Sequence, residues 1–117
     1  MKTIIAGSRD IKQYRVVEDA VMDSNFPITE IVSGCAKGVD TVAINFAKIN
    51  SIDLVMFPAN WNGRGKYAGL LRNKKMADYA DALIAIWDGK SVGTKHMIDT
   101  AKEKGLKVFV YMYYGDS

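Results

Sequence analysis

Five short apolar runs, at residues 3–6, 30–33, 53–57, 82–86 and 107–112, limit what this chain can become. Each is continuous rather than alternating, the pattern of a strand covered on both faces. Between them lie segments of helical spacing. Val39, Val42, Ala43, Phe46 and Ala47 recur at i, i+3, i+4, i+7 and i+8, and Thr94, Met97, Ile98 and Ala101 do the same until Gly105 stops the helix. Residues 11–23 are rougher, with Tyr14, Val17 and Val21 on one stripe. The order βαβαβαβαβ calls for a parallel sheet, right-handed crossovers and helices on both faces. The expectation is one Rossmann-like α/β domain over residues 1–117, a three-layer α/β/α sandwich around five parallel strands.

In such sheets ligands sit beyond the carboxyl ends of the strands, where helix N-termini point. The four βα loops read Gly7-Ser8-Arg9-Asp10, Ser33-Gly34-Cys35-Ala36-Lys37-Gly38-Val39-Asp40, Pro58 through Lys66, and Trp87-Asp88-Gly89-Lys90-Ser91-Val92-Gly93-Thr94. All are rich in Gly, Ser, Asn and cations, whereas the connections at the opposite edge, 24–27 and 50–52, are not. Glycines let backbone N–H groups approach an anion, and each helix start adds about half a positive charge. Cap and turn duty explains any one such loop; four on one edge favour a ligand.

Charge and composition narrow the ligand. A formal net charge of +3 suits a phosphorylated small molecule and lacks the basic stripe of a duplex-DNA binder. No apolar run is long enough to cross a membrane, and the N-terminus turns polar too early for a signal peptide. The lone cysteine, Cys35, excludes an internal disulfide and fits a reducing compartment, so the cytoplasm is expected.

Several motifs tempt and fail. Gly89-Lys90-Ser91 resembles the end of a P-loop, but the required earlier glycine is Ile84, inside a strand. Gly89 to Gly93 also fits a nucleophile elbow, yet the single histidine, His96, lies five residues on in the same helix and cannot fold back onto Ser91. One His and one Cys make no metal site, and none is expected. G-x-G-x-x-G is absent.

Other residues are read by position. Ser8 and Arg9 follow the first strand; Arg9 offers a bidentate fork for phosphate, or is simply solvated beside a helix cap. Ser33, Gly34, Lys37 and Gly38 form a second anion loop. Asp40 could meet a ribose hydroxyl or serve the helix dipole. Counting back from Met76, Ala77 and Ala80 by threes and fours lands on Arg72, Asn73 and Gly69, so a guanidinium and an amide continue the inward helix face toward the ligand edge. The partner of Arg72 is then a ligand, or one of Asp78, Asp81 and Asp88. Trp61 could stack a base or act as an apolar lid. Ser91, Gly93 and Thr94 open the last helix and could meet phosphate. His96 falls one position off the core stripe and reads as a surface residue, and Met97 reads as core.

Taken together, Gly7-Ser8-Arg9, the S-G-x-A-x-G-x-D loop at 33–40, Gly69 with Arg72-Asn73 and Met76, and the stretch from Asp88-Gly89 to Gly93-Thr94 resemble the SLOG superfamily, which joins the SMF/DprA proteins to the LONELY GUY (LOG) enzymes. The resemblance runs over nearly the whole chain and is strongest to the small stand-alone YspA/YpsA-related branch, often found in bacteria and their phages. It implies strand order 3-2-1-4-5 and a site for a nucleotide-derived ligand such as ADP-ribose, NAD or a nucleoside monophosphate. LOG enzymes cleave the N-glycosidic bond of nucleoside 5′-monophosphates with a glutamate in the signature P-G-G-x-G-T-x-x-E. Here Gly93 and Thr94 are kept, but Met97 stands in the glutamate's place, and methionine can neither activate water nor stabilise an oxocarbenium ion. Cys35 stands where the branch usually has glycine, and its expected role is a small buried residue.

The chain is therefore expected to bind a phosphate-bearing nucleotide-derived molecule as a sensor or sponge, with no catalytic residue assigned and no further cofactor. The binding set is Gly7, Ser8, Arg9, Ser33, Gly34, Lys37, Gly38, Asp40, Trp61, Arg72, Asn73, Asp88, Ser91, Gly93 and Thr94. The alternatives are a phosphoribohydrolase using Asp40 or Asp88, and a single-strand nucleic-acid binder using Lys37, Arg64, Lys66, Arg72, Lys74 and Lys75. A homo-oligomer is expected, with the tail Phe109, Tyr111, Tyr113 and Tyr114 as an edge strand or subunit contact; a nucleic-acid or membrane partner is not.

Overall fold

In a computed structural model, residues 1–59, 65 and 67–115 are described. The elements run β1 (Lys2–Gly7), α1 (Tyr14–Ser24), β2 (Glu30–Ser33), α2 (Val39–Ile49), β3 (Asp53–Met56), α3 (Tyr67–Tyr79), β4 (Ala82–Trp87), α4 (Val92–Glu103) and β5 (Lys107–Met112). The strands form one parallel sheet ordered β3-β2-β1-β4-β5, the order implied by the resemblance. The chief local departure is α1, which starts at Tyr14; the carbonyl of Ser8 accepts the Ile11 N–H and holds the preceding residues in a turn.

The continuous apolar strands are explained by two cores. Ile5, Ile31, Ile84 and Ile86 face α1 and α2, where Val17, Ala20, Val39, Ala43 and Ala47 are fully buried. Ile4, Val32, Leu83 and Ala85 face the other way onto Met76 and Ala77 of α3 and Met97, Ile98 and Ala101 of α4. Every residue from Ala82 to Ile86 is sealed from solvent, as a central strand sandwiched between helix layers must be. Met97 is core, as its spacing predicts, at 1% exposure. Among the described residues no helix is long and apolar enough to cross a membrane.

The order of the strands positions the site. From β1 the chain winds outward to β2 and β3, then returns across the sheet to β4. The loops after β1 and β4 therefore leave in opposite directions and open a crevice at the carboxyl edge. Gly38 lets α2 close one wall: it has φ +78, and a Cβ there would lie 2.4 Å from the Arg9 carbonyl and 2.5 Å from that of Ser8. Gly105, just past α4, has the same φ of +78 with nothing within 4 Å of a Cβ.

The two glycines share a positive φ but not their surroundings. Gly105→Ala should cost about 1 kcal/mol, the penalty of a positive φ alone. Gly38→Ala should cost about 3 kcal/mol, because its ψ of −128 lies outside the left-handed α region and the colliding atoms are main chain and cannot rotate away. Urea midpoints of the two variants measure the difference; equal losses would mean that neither the backbone angles nor the collision at Gly38 adds a cost.

Candidate functional site

The site is assembled by loop residues whose polar atoms face inward. Ser8, 1% exposed, donates its N–H to the Ile86 carbonyl at 3.1 Å, and its own carbonyl accepts from Ile11 and Val39. Its hydroxyl accepts the Asp88 N–H at 3.2 Å, locking the loops after β1 and β4 together. Ser33, fully buried, donates its hydroxyl to the Asp40 carbonyl at 3.1 Å and accepts the Cys35 N–H at 3.2 Å. Asp88 uses one carboxylate oxygen to accept the Lys90 and Ser91 N–H groups, both at 2.8 Å, and these bonds hold its carboxyl below the usual range. Ser91 caps α4, its hydroxyl accepting from the Thr94 N–H at 3.3 Å and meeting the Thr94 hydroxyl at 3.0 Å.

These bonds leave a cavity of about 180 Å³ between β1, α2, α3 and α4. Gly7, Arg9, Asp40, Arg72, Asn73, Ser91, Gly93 and Thr94 line it, eight of the residues chosen from sequence. Gly34 and Lys37 line an adjoining cavity of about 240 Å³, which Arg9 and Arg72 share. A third, of about 290 Å³, lies between the end of β3 and α3 and is lined by Phe57, Leu71, Lys75 and again Arg72. Arg72 thus stands where all three meet. Ser8, Ser33, Gly38 and Asp88 line none of these cavities; they hold the loops from behind. Trp61 lies outside the described residues.

The side chain of Arg72 is aimed by its surroundings. Nη1 donates to the Gly34 carbonyl, and Nε donates to Asn73 Oδ1 at 3.0 Å. Among the described residues Nη2 has no hydrogen-bond partner. A Cβ on Gly34 would fall 2.5 Å from Nη1 and 2.9 Å from Asp40 Oδ2, so only glycine lets both groups come this close. None of Asp78, Asp81 and Asp88 forms a salt bridge with Arg72; Asp78 pairs with Lys104 instead.

Asp40 is 4% exposed and accepts the Ala36 N–H at 3.2 Å. Burial raises its carboxyl to about 6, outweighing the lowering effects of that N–H, of the nearby guanidinium and of the Gly7 N–H. It is the one carboxyl lining the central cavity among the described residues.

Sequence reasoning missed other members. Ala6, Ala36, Met76 and Met97 line the central cavity as apolar wall. Cys35 is not the fully buried residue expected: it is half-buried, adopts φ +63 and lines the cavity that holds Lys37. That left-handed φ is the conformation a glycine there would take without strain. His96 is not a free surface residue either; it is half-buried, with Nδ1 3.1 Å from Asn73 Nδ2. No periodicity within α4 reveals that contact, because it depends on how α3 packs against it.

The family model for the YspA, cpYpsA-related SLOG family matches residues 1–63. The Gene 61 protein of Mycobacterium phage D29 is 33% identical to this chain, over 92% of it and 93% of the phage protein. This chain belongs to that SLOG family. The DNA processing protein A (DprA) of Streptococcus pneumoniae superposes with a TM-score of 0.75 over 93% of the chain at 22% identity, a likeness of fold. The present chain spans about half, 49%, of the length of DprA.

The buried carboxyl gives a pH prediction. Its folded value of about 6 lies above its ordinary 3.8, so the native state holds the proton more tightly. Its contribution to stability is full below about 3.8 and is lost as pH rises through 6, a swing of about 3 kcal/mol. The stability of the wild type relative to Asp40→Asn should fall by about that amount between pH 3.5 and 8. Urea unfolding across that range measures it, and parallel curves would show that Asp40 titrates normally.

Proposed function

We propose that this chain binds a phosphate-bearing, nucleotide-derived small molecule of the NAD, ADP-ribose or cyclic-nucleotide type at the carboxyl edge of its sheet, and senses or sequesters it without breaking a bond. Membership in the SLOG family supports a nucleotide-related binding or processing role. The observation that carries the proposal is the junction at Arg72. A half-buried guanidinium, held by Gly34 and Asn73 with Nη2 turned to no protein partner among the described residues, stands where three cavities meet. Each cavity lies below the roughly 300–1,000 Å³ of a small-molecule site, but joined they suit an elongated ligand with its anion in the middle.

In this reading Arg72 grips the phosphate through its free N–H groups, and Arg9 and Lys37 add charge at the rim. Gly7, Gly34 and Gly93 keep side chains out of the ligand's way. Asp40 and Asn73 face a ribose, and the Ser91 and Thr94 hydroxyls meet the remaining polar edge. Ser8, Ser33, Gly38 and Asp88 contribute by holding those groups in place.

One observation favours a second reading. Asp40, with a carboxyl near 6, is tuned as a general acid is tuned, which suits a phosphoribohydrolase protonating a departing base. Met97 weighs against it, since the position of the LOG glutamate is filled by a thioether at 1% exposure.

Mass spectrometry of small molecules released on denaturation, followed by calorimetry with NAD, ADP-ribose and cyclic and linear nucleotides, tests both. The expected result is an intact nucleotide that binds again, with affinity reduced about 10–100-fold in Arg72→Ala at unchanged fold. Free base and ribose phosphate appearing from AMP, and lost in Asp40→Asn, would establish the hydrolase. Affinity that scales with oligonucleotide length and falls steeply with salt would establish single-strand binding instead.

A further inference from the structure

Behind Arg72 a line of polar side chains runs from α3 into α4. Nε of Arg72 donates to Asn73 Oδ1 at 3.0 Å. The amide nitrogen of Asn73 lies 3.1 Å from Nδ1 of His96, and the other ring nitrogen lies 3.5 Å from the Thr100 hydroxyl. Asn73 is 5% exposed and Thr100 6%, so water has little access to substitute for either.

The chemistry of the groups fixes the direction of every bond. The guanidinium can only donate, so it must meet the oxygen of Asn73. The amide NH2 then faces His96 and can only donate, so Nδ1 must accept. His96 is therefore neutral, with its proton on Nε2 directed at Thr100. The line has one consistent arrangement, and it holds only while the imidazole is unprotonated.

We propose that His96 is a positioning residue that aims Arg72 through Asn73, and that protonating His96 breaks the Nε anchor of the guanidinium, a role whose functional meaning rests on the anion-binding reading above. Protonation puts an N–H on Nδ1, facing the amide NH2. The buried amide must turn its oxygen toward the imidazolium, which then presents NH2 to the Arg72 Nε–H. Two donors confront each other, and the guanidinium loses one of its two protein anchors.

The groups around the ring agree with a neutral resting state. Burial lowers the pKa of His96, and Lys74 from α3 lowers it further, while Asp99 and Glu103 of α4 oppose them; Asp99 is itself paired with Lys95 at 2.8 Å. The consequence for anion binding runs opposite to that of Asp40. As pH falls, protonating Asp40 removes a negative charge from the cavity and strengthens anion binding, whereas protonating His96 weakens it, the lost Nε anchor outweighing the attraction of the more distant imidazolium. The two effects separate in a variant that keeps Asp40 and fixes the acceptor.

That variant is His96→Asn, whose amide oxygen can occupy the place of Nδ1 and does not titrate; His96→Leu removes the acceptor. Nuclear magnetic resonance of the ¹⁵N-labelled protein reads the Arg72 Nε–H without any ligand. The exchange rate of that proton, taken relative to that of a free arginine at the same pH, should be low in the wild type while His96 is neutral and should rise as His96 protonates, which the ring ¹⁵N shifts of His96 follow. It should stay low throughout in His96→Asn and be high throughout in His96→Leu, with backbone spectra reporting an intact fold. A low relative rate in folded His96→Leu, or a pH effect undiminished in His96→Asn, would overturn the relay. With inorganic pyrophosphate as probe, the ratio of affinity at pH 7.5 to that at pH 5 should be about tenfold higher in the wild type than in His96→Asn. Equal ratios count against the relay. If the resonance behaves as expected but pyrophosphate fails to bind at either pH, the relay stands and the anion-binding reading falls.

Discussion

Ser8 is the pin on which this architecture turns. At the end of the central strand its N–H, carbonyl and hydroxyl reach the β4 chain at Ile86, the start of α2 at Val39 and the loop at Asp88. Those bonds can form only if the three backbones come together, and glycine is what lets them. A Cβ on Gly7 would sit 2.3 Å from the Ile86 carbonyl and 2.7 Å from a Val39 methyl. The same crowding operates at Gly38 from the other side. Close approach here and divergence one step further out are a single geometric fact, because the loops after β1 and β4 leave the pinned point in opposite directions. The cavity is the space that this divergence leaves.

Its electrostatics follow from the same crowding. Asp40 is drawn under the loop by the Ala36 N–H and buried there, at a cost that raises its carboxyl to about 6. Arg72 cannot neutralise it directly: no salt bridge joins them, and the guanidinium is committed to the Gly34 carbonyl and to Asn73. The charges face one space without cancelling, one on a wall and one at the junction of three cavities. In the proposed reading that separation is useful, because a guanidinium fully paired with a carboxylate has little left to offer a phosphate.

How much of this the sequence revealed depends on what each signal measures. Continuous apolar runs report burial on both faces, and two-sided burial admits few answers besides a parallel sheet under two helix layers; hence the fold was legible. Arg72 and Asn73 were legible too, since helical spacing from Met76 and Ala77 carries them to the inward, ligand-edge end of α3. Serines were harder, because a hydroxyl that caps a loop and one that meets a ligand have the same sequence context. Ser8 and Ser33 hold the frame, while Ser91 both caps α4 and lines the cavity. His96 was misread for a related reason. Its environment is made by α3, and spacing within α4 describes only its own stripe. Cys35 shows the limit of composition: a small thiol suggests burial, but the turn it occupies forces a left-handed backbone and leaves it half-buried.

In the proposed reading the central cavity holds its ligand without cutting it, and the groups that line it bear on that reading. Glycosidic cleavage by the usual pairing of carboxyls needs two, about 5–5.5 Å apart for retention or about 6.5–9.5 Å for inversion, one to protonate and one to attack or activate water. The described walls supply one, Asp40, and the Asp88 carboxylate is turned back on its own loop to accept two N–H groups. Met76 and Met97 fill adjoining wall with thioethers, which neither move protons nor stabilise a cation as a carboxylate does. What remains is two guanidiniums, one amide, two hydroxyls and one tunable acid around a small space. In the proposed reading that set binds an anion and its sugar, and responds to pH while doing so.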